Sequence, residues 1–172
     1  GAANYSTMED IYKKAGDQPL FVIIADEITD PHNLGAIIRT AEIAGAHGVI
    51  IPKRGSVGLT VTVAKTSAGA VEHLPVVRVS NLAATVDQLK KDGVWVYGTD
   101  MEGQCWCEID YTGPVALIVG SEGKGMSRLL TDKWDFIASL PMYGEINSLN
   151  ASVAAGIVMY EIARQRAGIK AR

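Results

Sequence analysis

Short apolar runs alternate along this chain with stretches whose apolar residues recur every three or four positions, and polar or glycine-rich segments separate the two kinds. Leu20–Ala25, Val49–Ile51, Val76–Val79, Val94–Tyr97, Val115–Val119 and Phe136–Leu140 have the length and composition of buried strands. Helices are predicted between them: from a cap at Asn33 to about Ala44, from Leu59 to Ala68, and from Leu82 to Lys91, where Gly93 stops it. A short helix follows Gly125, and a last one runs from about Leu149 to Ala167. Strands that alternate with helices predict an α/β fold, a mostly parallel sheet with helices on both faces. No repeat or low-complexity stretch interrupts the pattern.

The segments Asp26–Asn33, Gly98–Asp100, Gly120–Gly125 and Pro141–Asn150 each follow the C-terminal end of a predicted strand. In a parallel sheet those ends share one edge, where open α/β folds bind ligands. Four scattered stretches thereby become one candidate site. The last helix adds a second feature: Ala151 and Val153 to Met159 are apolar or small almost all round, where a surface helix would show a polar face. Such a helix needs cover on both sides, which predicts self-association.

Composition narrows the class. The 172 residues are 48% hydrophobic and 20% charged, as in an ordinary globular protein, and no apolar run is long enough for a membrane span. Sixteen basic against nineteen acidic side chains give a net charge of −3, which argues against a generic RNA-coating module but not against an enzyme that grips RNA locally. Cys105 and Cys107 flank Trp106 and read as free thiols of a reducing cytoplasm. No metal-ligand cluster is visible, and His32, His47 and His73 are isolated.

Gly120–Gly125 looks like a phosphate cradle, but its G-x-x-G-x-G order is not the dinucleotide fingerprint, and Lys124 is followed by Gly125 rather than Ser or Thr. The loop also comes late in the chain, so a nicotinamide or nucleoside-triphosphate enzyme is disfavoured.

Three long segments carry a resemblance that covers nearly the whole chain. They are residues 30–41, DPHNLGAIIRTA; residues 118–126, IVGSEGKGM; and LPM at 140–142 with SLNASVA at 148–154. In this order they resemble the three motifs of SpoU methyltransferases, a branch of the SPOUT superfamily. The stretch from Ile51-Pro52-Lys53-Arg54 to Ala64–Ala70 is most similar to the RlmB-like, ribosomal RNA guanosine subgroup. The resemblance implies an α/β domain with a C-terminal trefoil knot, a homodimer with its site near the subunit interface, S-adenosyl-L-methionine as cofactor, and transfer of a methyl group to a ribose 2′-hydroxyl of RNA. It also implies residues 18–172 as the catalytic domain, with residues 1–17 a tag or linker remnant and lead-in, and an upstream RNA-binding domain missing.

Matched residue by residue, the motifs assign an active-site role to Arg39, Asn33, Glu122, Ser148 and Asn150. Displacement at a sulfonium requires two aligned reactants and a hydroxyl that loses its proton. A helical side chain leans toward its helix N-terminus, so Arg39 is expected over the bare surface of Gly35, holding the phosphate beside the target ribose. Phosphate-assisted proton removal suits an arginine better than literal base action. Asn33 also reads as a helix cap, as do Ser148 and Asn150, and Glu122 as a carboxylate that orients Arg39 or Asn150. The cofactor pattern maps onto Thr99, Gly98, Gly120, Leu140, Met142 and Leu149, the two glycines admitting close backbone approach. Lys124 and Arg128 are candidate RNA contacts.

The implied target is a guanosine of large-subunit (23S) ribosomal RNA. A transfer-RNA guanosine is the alternative, since both kinds of enzyme share the motifs. A non-catalytic RNA-binding or ribosome-assembly module is a further one.

Overall fold

The computed structural model of the chain describes residues 4–120 and 128–172, apart from the side chains of 128 and 129. The strands are β1 (Phe21–Asp26), β2 (Gly48–Pro52), β3 (Val76–Val79), β4 (Trp95–Cys105), β5 (Val115–Gly120) and β6 (Phe136–Ser139). The helices are α1 (Met8–Ala15), α2 (Pro31–Ile43), α3 (Val61–Thr66), α4 (Leu82–Lys91), α5 (Arg128–Thr131) and α6 (Ala151–Arg166). The strands form one sheet in the order β3-β2-β1-β5-β4-β6, and every pairing is parallel.

Side chains of the strands alternate between two cores. Phe21, Ile23, Val49, Ile51, Val115 and Leu117 face a cluster shared with Ile37 and Ile38 of α2, Val63 of α3, and Val158, Met159 and Ile162 of α6. Val22, Ile24, Ile50, Ala116 and Ile118 face the other, with Ile11 of α1, Val86 and Leu89 of α4, and Leu130 of α5. Period-two alternation with both faces apolar is what a parallel sheet covered by helices requires. The α/β fold with helices on both faces is therefore as the sequence pattern predicts.

The order of strands fixes where a ligand can enter. From β1 the chain steps outward through β2 and β3, and the other three strands, β5, β4 and β6, lie on the opposite side of β1. β1 and β5 are neighbours with Asp26 in register with Gly120, so their C-terminal ends flank the point where strand order reverses.

Three elements differ from the sequence pattern. Asn33 does not cap α2. Asp30 does, its side chain accepting from the His32 N–H at 2.8 Å, and Pro31 fills the first helical position, where its missing N–H costs nothing. Residues 8–15, expected as lead-in, form α1 behind a Thr7–Asp10 capping box, with Ile11 fully buried. β4 does not end at Tyr97. It pairs with β6 at Thr99, loops out over residues 100–103, and rejoins at Gln104, so that Thr99 and Gln104 both oppose Ala138. The trefoil knot depends on a chain path that includes residues 121–127, which lie outside the described residues.

Candidate active site

The excursion in β4 forms one wall of a cavity of about 420 Å³ at the C-terminal edge of the sheet. Gly103 returns so close to β6 that a Cβ there would lie 2.6 Å from the Ile137 carbonyl oxygen. The looped-out residues are pinned from both ends. The Met101 N–H donates to the Asp100 carboxylate at 2.6 Å, and the Ser139 hydroxyl donates to the Met101 carbonyl at 2.8 Å. The remaining walls are Ala138 and Leu140 at the end of β6, Met142 and Asn147–Leu149 of the following loop, and Ala154 on the first turn of α6.

Five residues expected at the cofactor or the ribose therefore line one cavity: Thr99, Leu140, Met142, Ser148 and Leu149. They come from three parts of the chain, and parallel pairing of β4 with β6 gathers them. Asn150 sits just outside. Its side-chain oxygen caps α6, accepting from the Ser152 and Val153 N–H groups at 2.9 and 3.3 Å and from the Ser152 hydroxyl at 2.5 Å. Capping by Ser148 does not occur; two residues ahead of the cap, it faces the cavity.

Other expectations are placed differently. Gly98 does not open space for a ligand: a methyl group on it would overlap the Trp134 indole, so the glycine exists for that packing. Gly35 likewise leaves no bare surface for Arg39, because Thr66 of α3 occupies it and donates to the Pro31 carbonyl. Arg39 is exposed, has no ion-pair partner among the described residues, and is not part of the cavity wall. Asn33, in the first turn of α2, and Gly120, closing β5, also lie outside the wall. Glu122 and Lys124 lie outside the described residues, and Arg128 opens α5 with its side chain outside them.

Asp100, Met101, Ala138, Asn147 and Ala154 complete the described wall. Asp100 and Asn147 fall in the segments that follow predicted strands and Ala154 in the third motif, but sequence assigned none of these residues an individual role, and Met101 and Ala138 carried no signal beyond their place next to such segments. Among the described residues of the wall, Asp100 is the one ionisable side chain and none is a cation. A cavity of this kind suits a ligand with an apolar ring and a positive charge, and disfavours a phosphate. Its volume falls within the usual range for small-molecule sites. An adenine between Leu140, Met142 and Leu149, with a sulfonium toward the acidic side, fits this donor set. Among the described residues no group of three or more His, Cys, Asp or Glu side chains could hold a metal ion.

Comparison with known proteins agrees with this geometry. Residues 20–160 match the model of the SpoU rRNA Methylase family. The chain is 54% identical over 169 residues to YacO of Bacillus subtilis (strain 168), whose TrmH-family name gives tRNA and rRNA together as substrates; the match covers 96% of this chain and 68% of that one. Among solved structures it is similar to the SpoU methyltransferase AviRb from Streptomyces viridochromogenes in complex with AdoMet, with a TM-score of 0.85, 30% identity, and coverage of 96% of this chain and 66% of the other. An AdoMet-bound rRNA methyltransferase from Sinorhizobium meliloti matches with a TM-score of 0.83 and 32% identity, over 94% of this chain and 61% of the other. The chain thus spans about two thirds of the length of these proteins.

Proposed function

The chain belongs to the SpoU rRNA Methylase family, and from that premise we propose that it transfers a methyl group from S-adenosyl-L-methionine to a ribose 2′-hydroxyl of RNA. The observation that carries this is the cavity at the ends of β4 and β6, lined by Thr99, Leu140, Met142 and Leu149, four of the six residues that the family pattern assigns to the cofactor. When bound, the cofactor supplies an electrophilic sulfonium methyl. The chain's residues do the rest. Leu140, Met142 and Leu149 exclude water from one side of the cavity, while Thr99 and Ser148 offer hydroxyls to orient a polar ligand. Arg39, which has no ion-pair partner among the described residues, grips the phosphate beside the target ribose and lets that phosphate assist removal of the hydroxyl proton. Asn33, Asn150 and Glu122 orient the arginine and the ribose. Lys124 and Arg128 hold neighbouring phosphates.

The site is completed by a second copy of the chain. Arg39 and Ile43 lie one turn apart on the exposed side of α2. α2 packs on α6, whose Val153, Ile157 and Tyr160 form an exposed apolar stripe at helical spacing. Pairing through this surface covers the stripe and lets one copy's Arg39 serve the cavity of the other. The target is a guanosine of large-subunit ribosomal RNA, on the strength of the RlmB-like segment at residues 51–70, and the place of action is the cytoplasm.

The test is transfer of radiolabelled methyl groups to RNA from a strain lacking the gene, with mapping of the modified ribose. Labelling of one 23S guanosine is expected. Labelling of a transfer-RNA guanosine would correct the target. An absence of labelling by a chain that binds S-adenosylhomocysteine would count against catalysis by this part alone.

A further inference from the structure

Of the six tyrosines in the chain, Tyr5, Tyr12, Tyr97 and Tyr111 each have the hydroxyl in a hydrogen bond. Tyr160 belongs to the apolar stripe of α6. Tyr143 is left: it is 94% exposed, and among the described residues it has neither a ring partner nor a hydrogen bond. Its position is specific, since Met142 directly before it lines the cavity and Asn147–Leu149 return to the wall within the same loop. Two more large apolar side chains are exposed on the segments that build the wall, Ile146 in that loop at 79% and Met101, itself a wall residue on the β4 excursion, at 60%.

An exposed ring on a loop that lines a ligand cavity offers a flat apolar face to a substrate held there. Every nucleobase has such a face, and stacking on an aromatic side chain is the usual way for a protein to hold an unpaired nucleotide. With a net charge of −3, the chain has less charge for gripping RNA phosphates than a basic protein, which gives stacking a larger share of the binding.

We propose that Tyr143, on the loop that lines the cavity, is the platform on which the base of the target nucleotide stacks, so that the chain selects an unpaired, unstacked nucleotide. This rests on the RNA methyl-transfer reading above. Tyr143 touches the substrate's base rather than the reacting atoms, and its ring matters more than its hydroxyl.

The experiment uses the full 172-residue chain, with Tyr143→Ala, Tyr143→Phe and Tyr143→Trp. A short single-stranded oligoribonucleotide carrying a fluorescent label is the probe, with S-adenosylhomocysteine present. Tyr143→Ala is expected to weaken RNA binding about 5- to 100-fold. Phe and Trp should restore it, and the salt dependence of binding should keep its slope, because no phosphate contact is removed. Affinity for S-adenosylhomocysteine and the oligomeric state should be unchanged. Wild-type RNA affinity in Tyr143→Ala would overturn the inference. A parallel loss of S-adenosylhomocysteine binding would do so too, since the ring then covers the cofactor; a change in oligomeric state would make it a subunit contact. If the wild type neither binds S-adenosylhomocysteine nor methylates RNA, the active-site reading itself falls, and the platform falls with it.

Discussion

The Phe21 N–H donates to Nδ1 of His47 at 2.9 Å, while Nε2 of the same ring lies 3.0 Å from the Gln18 side-chain oxygen. This buried imidazole ties the start of β1 to the turn before β2, at the end of the sheet opposite the cavity, and its role is structural. Burial first, then the nearby charges of Arg166 and Lys14, lower its pKa from 6.5 to about 4. The folded state therefore binds fewer protons than the unfolded one in that interval, so stability is complete above pH 6.5 and declines as pH falls toward 4. Thermal melts between pH 7 and 4 should show this decline, and His47→Gln should flatten it; an unchanged slope in the variant would assign the loss to other groups. At the other end of the molecule Asn150 holds the first turn of α6. Asn150→Ala should cost about 1 kcal/mol in denaturant unfolding, whereas Asn150→Asp should keep the cap. Loss of methyl transfer in the stable Asp variant would show that the amide also serves the reaction.

Packing between elements explains two glycines that sequence alone assigned to ligands. Gly98 admits the Trp134 ring against β4, and Gly35 admits Thr66 where α3 crosses α2. Gly98→Ala and Gly35→Ala should each destabilise the fold by about 1–3 kcal/mol through overpacking, measurable in urea. An unaffected variant would mean that the neighbouring side chain moves aside without cost. Such partners are invisible in a sequence because Trp134 and Thr66 are more than 30 positions away. The strands were legible, since Phe21–Asp26 and Val115–Gly120 are continuous apolar runs buried on both faces. The second half of β4 was not, because residues 100–104 are mostly polar and exposed, and backbone pairing with β6 alone makes them part of the sheet. The α2 cap was misread by three positions because Asp30-Pro31 and Asn33 are both start signals, and Pro31 decides for the earlier one. For the site, the motif positions at 140–149 and the segment 98–100 led to the cavity, whereas Met101 needed the bulge to bring it there.

At the scale of the whole molecule, the outer surface of α2 and α6 has no cover among the described residues. Val153, Ile157 and Tyr160 of α6 and Ile43 of α2 are exposed apolar side chains, although the opposite face of α6 is fully buried through Val158, Met159 and Ile162. Ile157→Asp should shift the chain toward monomer in sedimentation while leaving its circular dichroism intact; an unchanged sedimentation coefficient would exclude this stripe as the subunit contact. If the site is shared, Arg39→Ala and Leu149→Arg should each lose methyl transfer by about 10²-fold or more, and mixing the two should restore part of it through mixed dimers. The central claim is that the space between the ends of β4 and β6 holds the methyl donor. Calorimetric titration of S-adenosylhomocysteine into the wild type and Leu149→Arg tests it directly. The account predicts saturable binding to the wild type, abolished in the variant and intact in Arg39→Ala. No binding to the folded wild type, or equal affinity in Leu149→Arg, would contradict it.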